Sequence, residues 1–123
     1  MRVRNHGDLE VYRMAFDAAM EIFRLTGMFP KEERYSLVDQ IRRSSRSVCA
    51  NIAEAFEKRL YPAHFRSKLS DSLSEAGETQ VWLEFSSECG YLESVKSNEL
   101  FNQYAFIKGK LITMMQHPEE WRV

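Results

Sequence analysis

The sequence contains few of the residues that break helices, with only five glycines and three prolines among 123 residues. So few turn-forming residues argue against a hairpin-rich β-protein, and 28% charged with 44% hydrophobic residues argues against disorder. The two cysteines, Cys49 and Cys89, lack CxxC spacing and a nearby cluster of metal ligands. We therefore interpret them as free thiols in a reducing compartment.

Long apolar runs are also missing from the sequence. No stretch approaches the ~20 consecutive apolar residues of a membrane span. The N-terminal run MRVRNHGDLEVY lacks the apolar centre of a signal peptide. We therefore expect a cytoplasmic protein that makes no contact with membranes.

Four segments carry apolar residues at the alternating three- and four-residue steps of amphipathic helices, and no segment has the alternation of a strand. The predicted helices cover residues 9–26, 31–59, 63–89 and 98–116. The predicted ends are assigned from capping and helix-breaking residues, namely Asp8, Gly27, Pro30, Pro62, Gly90, Ser97 and Pro118. The short connections favour antiparallel neighbours. The sequence therefore predicts one all-α domain over residues 1–123, an antiparallel up-down-up-down four-helix bundle.

The inner faces of these predicted helices differ in composition. The first helix has a seam of large residues at Leu9, Tyr12, Phe16, Ala19 and Phe23. The third helix repeats the spacing with smaller residues, at Phe65, Leu69, Ser72, Ala76, Thr79, Leu83 and Ser86. The second helix places polar residues on its apolar stripe, at Ser44, Ser47 and Asn51. Because buried hydroxyl and amide groups need partners, we predict close helix contact with specific hydrogen bonds.

The residue patterns of common enzyme classes are missing. A di-metal bundle needs Glu-x-x-His on two helices, and no histidine here follows a glutamate by three positions. The sequence also lacks a GxSxG elbow and a glycine-rich phosphate loop. Glu75 and Glu78 are interpreted as structural carboxylates. We predict no enzymatic activity, no metal and no cofactor.

The net charge of −1 hides an uneven distribution of charge. Residues 30–68 contain nine Lys/Arg and five Asp/Glu, whereas residues 69–121 contain three Lys/Arg and nine Asp/Glu. Such a basic segment either neutralises the acidic one or binds a polyanion through phosphate contacts. The candidate nucleic-acid-binding residues are Arg42, Arg43, Arg46, Lys58, Arg59, Arg66 and Lys68. Aromatic residues are not clearly interleaved with them, so we predict mostly electrostatic binding.

The run QIRRSSRSVCANIAEAFEKR at residues 40–59 resembles the signature of a known bacterial four-helix bundle family. This family was first noticed as reading frames in intervening sequences of large-subunit rRNA genes, and distant relatives assist reverse transcriptases of diversity-generating retroelements. The segments LEVYRMAFDAAMEIFRLTGMFPKEERYSL and HFRSKLSDSLSEAGETQVWLEFSSECGYL extend the resemblance over residues 8–115. It implies a homopentameric ring without catalytic activity that acts on RNA or in ribonucleoprotein complexes.

The signature positions carried over from this resemblance are Gln40, Arg43, Ser47, Asn51 and Glu54. We interpret them as a hydrogen-bonded network at a helix or subunit contact, with ligand contact as the alternative. Two functions follow. The first is an oligomeric accessory protein that binds RNA, DNA or a ribonucleoprotein. The alternative is a homo-oligomeric scaffold that has no nucleic-acid role and binds a protein partner. It would use aromatic residues in excess of what one inner stripe can bury, namely Tyr61, Trp82, Phe85 and Tyr91.

Overall fold

The computed structural model describes residues 3–121, which contain four α-helices and no strand. The helices are α1 (Glu10–Thr26), α2 (Leu37–Glu57), α3 (Pro62–Glu88) and α4 (Ser94–Gln116). Helix α1 packs against α2 and α4, and α3 packs against the same two helices, so the four surround one apolar core. The all-α prediction is confirmed, and the arrangement is consistent with a four-helix bundle. No helix within residues 3–121 is long and apolar enough to cross a membrane.

The predicted inner face of α3 is confirmed, because all seven of its seam residues are buried. The predicted seam next to and along α1 is correct at Leu9 and Ala19, which are buried, and wrong at Phe16 and Phe23. Phe16 and Phe23 are 47% and 41% exposed, and α1 instead buries a narrower face made of Val11, Ala15, Ala18, Ala19 and Ile22. Both sets have the same helical spacing, so spacing alone does not distinguish them. The small alanines allow α1 to approach its neighbours closely.

The second helix begins later than predicted. Residues Lys31–Glu33 form a single 3-10 turn, and α2 starts only at Leu37. The cause is local: one Glu33 carboxylate oxygen accepts a hydrogen bond from the Ser36 hydroxyl at 2.7 Å and lies 3.4 Å from the Leu37 nitrogen. This carboxylate satisfies a helix-start N–H and separates the turn from the helix.

The other predicted N-caps also differ from the structure. Ser97 lies inside α4, is buried, and donates its hydroxyl to the Leu83 carbonyl oxygen at 3.0 Å. This bond ties α4 to α3, and the helix starts at Ser94 instead. Asp8 accepts a hydrogen bond from the Arg4 nitrogen at 2.8 Å and closes a 3-10 turn before α1, which has no side-chain cap.

Of the polar residues predicted on the stripe of α2, Ser44 makes a specific contact with α3, and Ser72 of α3 makes one with α2. The Ser44 and Thr79 hydroxyl oxygens are 2.8 Å apart, and the Ser72 hydroxyl donates to the Val48 carbonyl oxygen at 2.8 Å. All three hydroxyl-bearing residues are fully buried. The prediction of hydrogen bonds between helices is confirmed for Ser44, whereas Asn51 bonds Ser47 on its own helix. The contacts of Ser44 and Ser72 fix the register of α2 against α3.

Candidate functional site

Four arginines line one cleft on the outer side of α2. Its volume is about 550 Å³, and Asp39 is the only acidic residue among those that line it. We call it the arginine cleft, and its basic residues are Arg34, Arg42, Arg43 and Arg46. The last three come from consecutive turns of α2, whereas Arg34 comes from the turn before that helix. The sequence prediction did not include Arg34, which it placed in the first turn of a longer helix.

Arg42 is held in place by α1. Its Nε donates to the Thr26 hydroxyl oxygen at 2.9 Å, one Nη donates to the Phe23 carbonyl oxygen at 3.1 Å, and its guanidinium lies 4.4 Å from the Phe23 ring centroid. The Arg46 guanidinium lies 5.7 Å from the same ring. These partners are neutral, so they orient both guanidinium groups without cancelling their charge.

Arg43 has a different role in the same cleft. It forms an ion pair with Glu78 at 3.0 Å and lies 3.8 Å from Glu75, and it donates to the Gln40 amide oxygen at 3.2 Å. Its charge is therefore balanced by α3. This geometry agrees with the structural interpretation of Glu75 and Glu78, and it leaves Arg34, Arg42 and Arg46 to determine the charge of the cleft.

The remaining predicted basic residues lie at the connection between α2 and α3. Lys68 forms an ion pair with Glu54 at 2.9 Å and lies 3.8 Å from Asp71, and the hydrogen bond to Glu54 raises the Lys68 pKa. Within residues 3–121, Lys58, Arg59 and Arg66 have no carboxylate within 4.0 Å. Twelve helical residues, ~18 Å, separate Arg46 from Lys58. The structure thus divides the predicted basic residues into two groups.

The five signature residues form three local contacts. Gln40 contacts Arg43, and the Asn51 amide donates to the Ser47 carbonyl and hydroxyl oxygens at 3.0 and 3.1 Å. Glu54 contacts Lys68. Two of these contacts extend to α3 through Arg43 and Glu54, so they link helices of the same chain. A role for these residues at a subunit contact stays a prediction.

An apolar groove of about 320 Å³ lies between α1 and α2, next to the arginine cleft. Its large side chains are Tyr12, Phe16, Met20 and Phe23, and Arg46 lies at its border with the cleft. Burial raises the pKa of the Cys49 thiol at its floor to about 11, so this thiol is neutral at physiological pH. The sequence prediction missed the groove because it placed Phe16 and Phe23 in the core.

No group of three His, Cys, Asp or Glu side chains in the described part of the chain is placed to hold a metal ion. The side-chain chemistry that the helices gather is instead a positively charged cleft beside an apolar groove. These features define the class as an all-α protein with a charged cleft on one helix.

Comparison with known proteins gives the family. The family described as 23S rRNA-intervening sequence protein matches residues 7–113, and the chain belongs to it. A protein of unknown function from the S23 ribosomal protein family of Bacteroides thetaiotaomicron has a similar crystal structure, with 31% sequence identity and a TM-score of 0.77. The similarity covers 86% of this chain and 95% of that one. No curated protein sequence matches the chain. Neither the matched family nor the similar crystal structure indicates an enzymatic family.

Proposed function

We propose that the protein is a non-enzymatic accessory protein that binds RNA or DNA through the arginine cleft. The observation that carries this proposal is the charge of the cleft. Arg34, Arg42 and Arg46 have no carboxylate partner among residues 3–121, whereas the cleft contributes only Asp39 as an acid. Three guanidinium groups in one cleft attract phosphates, and guanidinium geometry suits bidentate phosphate contacts.

Binding of this kind depends on salt, because each neutralised phosphate releases condensed counterions. The cleft presents charge rather than a set of donors and acceptors matched to base edges, so it favours phosphate contacts over sequence readout. The family takes its description from intervening sequences of 23S rRNA. That description makes RNA the first ligand to test.

The double substitution Arg34→Glu/Arg46→Glu tests the arginine cleft. Arg42 is left unchanged because it also ties α2 to α1. We expect RNA affinity at low salt to fall by at least about tenfold. The slope of log affinity against log salt should become less steep by the amount that about two phosphate contacts contribute. The measurement is fluorescence anisotropy of labelled RNA across a salt series.

The matched control is Arg13→Glu/Arg24→Glu, which makes the same change of net charge on exposed positions of α1 outside the cleft. It should retain most of the affinity. Equal losses in both double variants would show that net charge alone, and not the cleft, determines binding. Unchanged affinity in Arg34→Glu/Arg46→Glu would contradict the proposal directly.

An up-down-up-down topology belongs to the same proposal. The contacts between neighbouring helices support this topology: as the residue number rises along one helix, the number of its partner falls along the other. Ser44 meets Thr79 while Val48 meets Ser72, and Lys96 pairs with Glu21 while Lys110 pairs with Glu10. Leu83 likewise meets Ser97 while Gln80 meets Phe101. Such pairing supports antiparallel neighbours around the bundle.

A second candidate function, a homo-oligomeric scaffold, is favoured by the apolar groove. Phe16, Met20 and Phe23 are 47%, 37% and 41% exposed and lie together on α1. A contiguous apolar surface of this kind is typical of a contact with another protein surface. Because the resemblance described above implies a homopentameric ring, we propose that a second copy of the chain covers the groove. A separate protein partner is the other occupant that the groove could take.

The substitution Met20→Glu tests self-association through the groove. A buried carboxylate without a partner is costly, so we expect the variant to have a smaller assembly mass than the wild type in light scattering coupled to gel filtration. Met28→Glu is the control, because Met28 is 90% exposed and does not line the groove. An unchanged mass for Met20→Glu, or a wild type that is monomeric, would contradict the scaffold function.

A further inference from the structure

The turn between α2 and α3 combines positive charge with exposed aromatic surface. Residues 58–70 contain four Lys/Arg and His64, with no Asp or Glu. Lys58, Arg59 and Arg66 have no carboxylate within 4.0 Å among residues 3–121. Tyr61 lies between them in sequence and is 62% exposed, so this group does include an aromatic ring, contrary to the expectation from the sequence. We use the name basic turn for the following residues: Lys58, Arg59, Tyr61, His64 and Arg66.

The local backbone and side chains hold the basic turn in position. Tyr61 has an extended backbone, with φ −117° and ψ 94°, because it precedes Pro62 at the start of α3. Its ring lies edge-to-face with His64, with centroids 6.1 Å apart, and most of the Tyr61 surface remains exposed to solvent. Arg59 is fixed by stacking 4.0 Å from the buried Phe56 ring centroid and by donating to the Phe56 carbonyl oxygen at 3.0 Å.

The basic turn therefore differs chemically from the arginine cleft. The aromatic ring in contact with the cleft, that of Phe23, lies under the guanidinium groups of Arg42 and Arg46. An exposed aromatic face beside unpaired cations can accept the flat face of a nucleobase while the cations hold the adjoining phosphates. In a duplex the bases are stacked on one another, so only an unpaired nucleotide presents a face to such a ring.

We propose that the basic turn binds single-stranded nucleic acid by stacking an unpaired base on Tyr61, with Lys58, Arg59 and Arg66 on the flanking phosphates. This inference rests on the proposed nucleic-acid-binding function and adds the class of ligand. Both the arginine cleft and the basic turn then contact phosphates, whereas only the basic turn stacks a base. Stacking on one aromatic ring tolerates every base, so the site discriminates strandedness rather than sequence.

The test compares Tyr61→Ala with the wild-type chain by fluorescence anisotropy. The probes are an oligouridine, an oligothymidine and a duplex of the same length. Loss of one stacked base should reduce single-strand affinity about 5- to 100-fold, with duplex affinity and the salt slope unchanged. Tyr61→Phe keeps the ring and should bind like the wild type. The two single-strand probes distinguish RNA from DNA.

Phe85→Ala is the matched control for loss of an exposed ring. Phe85 is 53% exposed on α3, but its neighbours Glu84 and Glu88 are acidic, so its removal should leave single-strand affinity unchanged. A loss equal to that of Tyr61→Ala would overturn the inference. Unchanged single-strand affinity in Tyr61→Ala would overturn it while leaving the proposed function intact. A wild type that binds none of the three probes at low salt would overturn both.

Circular dichroism checks that Tyr61→Ala keeps its helix content. Should this variant unfold, photo-crosslinking of the wild type decides the question, with an oligonucleotide that carries 5-iodouridine. A crosslink mapped to Tyr61 by mass spectrometry supports stacking on this ring. A crosslink found only elsewhere overturns it.

Discussion

At the scale of single residues, a chain of buried hydroxyl groups connects α2 to α3. The Thr79 hydroxyl donates to the Glu75 carbonyl oxygen at 2.9 Å and lies 2.8 Å from the Ser44 hydroxyl, which also contacts the Ile41 carbonyl oxygen at 3.3 Å. Both residues are fully buried. Since a buried hydroxyl that loses its partner keeps the cost of desolvation, these residues are more important for stability as a pair than singly.

The substitution Thr79→Val measures this pair. It preserves shape and removes the hydroxyl that Ser44 contacts, so we expect a loss of about 1–2 kcal/mol in the free energy of unfolding. The double variant Ser44→Ala/Thr79→Val should lose less than the sum of the single variants, because neither hydroxyl is then left alone. Urea denaturation gives all four free energies of the cycle.

Thr113→Val is the control for the loss of a threonine hydroxyl. Thr113 is exposed on α4 and bonds only the Gly109 carbonyl oxygen of its own helix, so we expect a change of less than about 0.5 kcal/mol. Equal effects of Thr79→Val and Thr113→Val would show that the contact between α2 and α3 contributes nothing specific.

Contacts of single residues could be predicted where the sequence places a polar side chain on the inward face of a helix. Ser44 and Ser72 on inward positions required partners, and the structure provides them. The partners of Arg42 could not be predicted, because a long side chain reaches α1 atoms whose position depends on how α1 is rotated. The exposed face of Tyr61 depends likewise on the turn geometry that Pro62 imposes.

At the scale of elements, two connections meet at one end of the molecule. The Tyr91 hydroxyl, from the connection before α4, donates to the Glu33 carboxylate at 3.0 Å, and the Phe29 and Tyr91 ring centroids are 5.4 Å apart. The hydrogen bond from Ser36, followed by that from Tyr91, lowers the pKa of Glu33. The same bond to Glu33 raises the pKa of Tyr91. Ionised Glu33 therefore strengthens the link between the α1–α2 and α3–α4 connections, which the contact of the Phe29 and Tyr91 rings also makes.

The pH dependence of stability tests this link. A carboxyl with a lowered pKa in the folded state contributes stability above its ordinary pKa of 4.5, and loses it as pH falls through the lower folded value. Glu33→Gln should therefore be less stable than the wild type at pH 7, with the difference shrinking in acid below pH 4.5. Urea midpoints measured across pH give this comparison.

The neighbouring substitution Glu32→Gln provides the control, because Glu32 is exposed and makes no side-chain hydrogen bond or ion pair within residues 3–121. It should show the same pH profile as the wild type. A constant difference between wild type and Glu33→Gln at all pH values would mean that side-chain shape, rather than ionisation, joins the two connections.

Prediction of whole elements succeeded where the apolar face was unambiguous. Helix α3 has one stripe of small and apolar residues between charged flanks, and each predicted position is buried. Helix α1 offered two stripes about one residue apart, one with large side chains and one rich in alanine. Hydrophobicity favours the first stripe, but the structure packs the second against α2 and α4. The helix is thus rotated from the predicted orientation, which exposes Phe16 and Phe23.

At the scale of the whole molecule, the uneven charge seen in sequence is partly balanced within the chain. Ion pairs join α2 to α3 through Arg43 and Lys68, and join α1 to α4 through Lys96 and Lys110. Exposed pairs of this kind add little stability individually. They do neutralise charge on the flanks, and six of the cations left without an ion pair among residues 3–121 lie in the arginine cleft and the basic turn.

The fold class and the basic character of α2 could thus be predicted from the sequence, whereas the division of its charges could not. Ion pairing depends on which carboxylates of α3 lie opposite each arginine. That depends in turn on a register set by hydroxyl contacts such as Ser44 with Thr79. The cleft itself needed the position of Arg34, which follows from the late start of α2.

The alanine-rich face of α1 also determines how the molecule opens. Ala15, Ala18 and Ala19 bury less apolar area than the leucines and phenylalanine on the inner face of α3, so less hydrophobic free energy holds α1 against its neighbours. Local unfolding costs least where burial is smallest, so we expect the amide hydrogens of α1 to exchange with solvent through lower-energy openings than those at the contact of α2 with α3. Because α1 carries Phe23 and one wall of the apolar groove, each such opening would change both neighbouring surfaces.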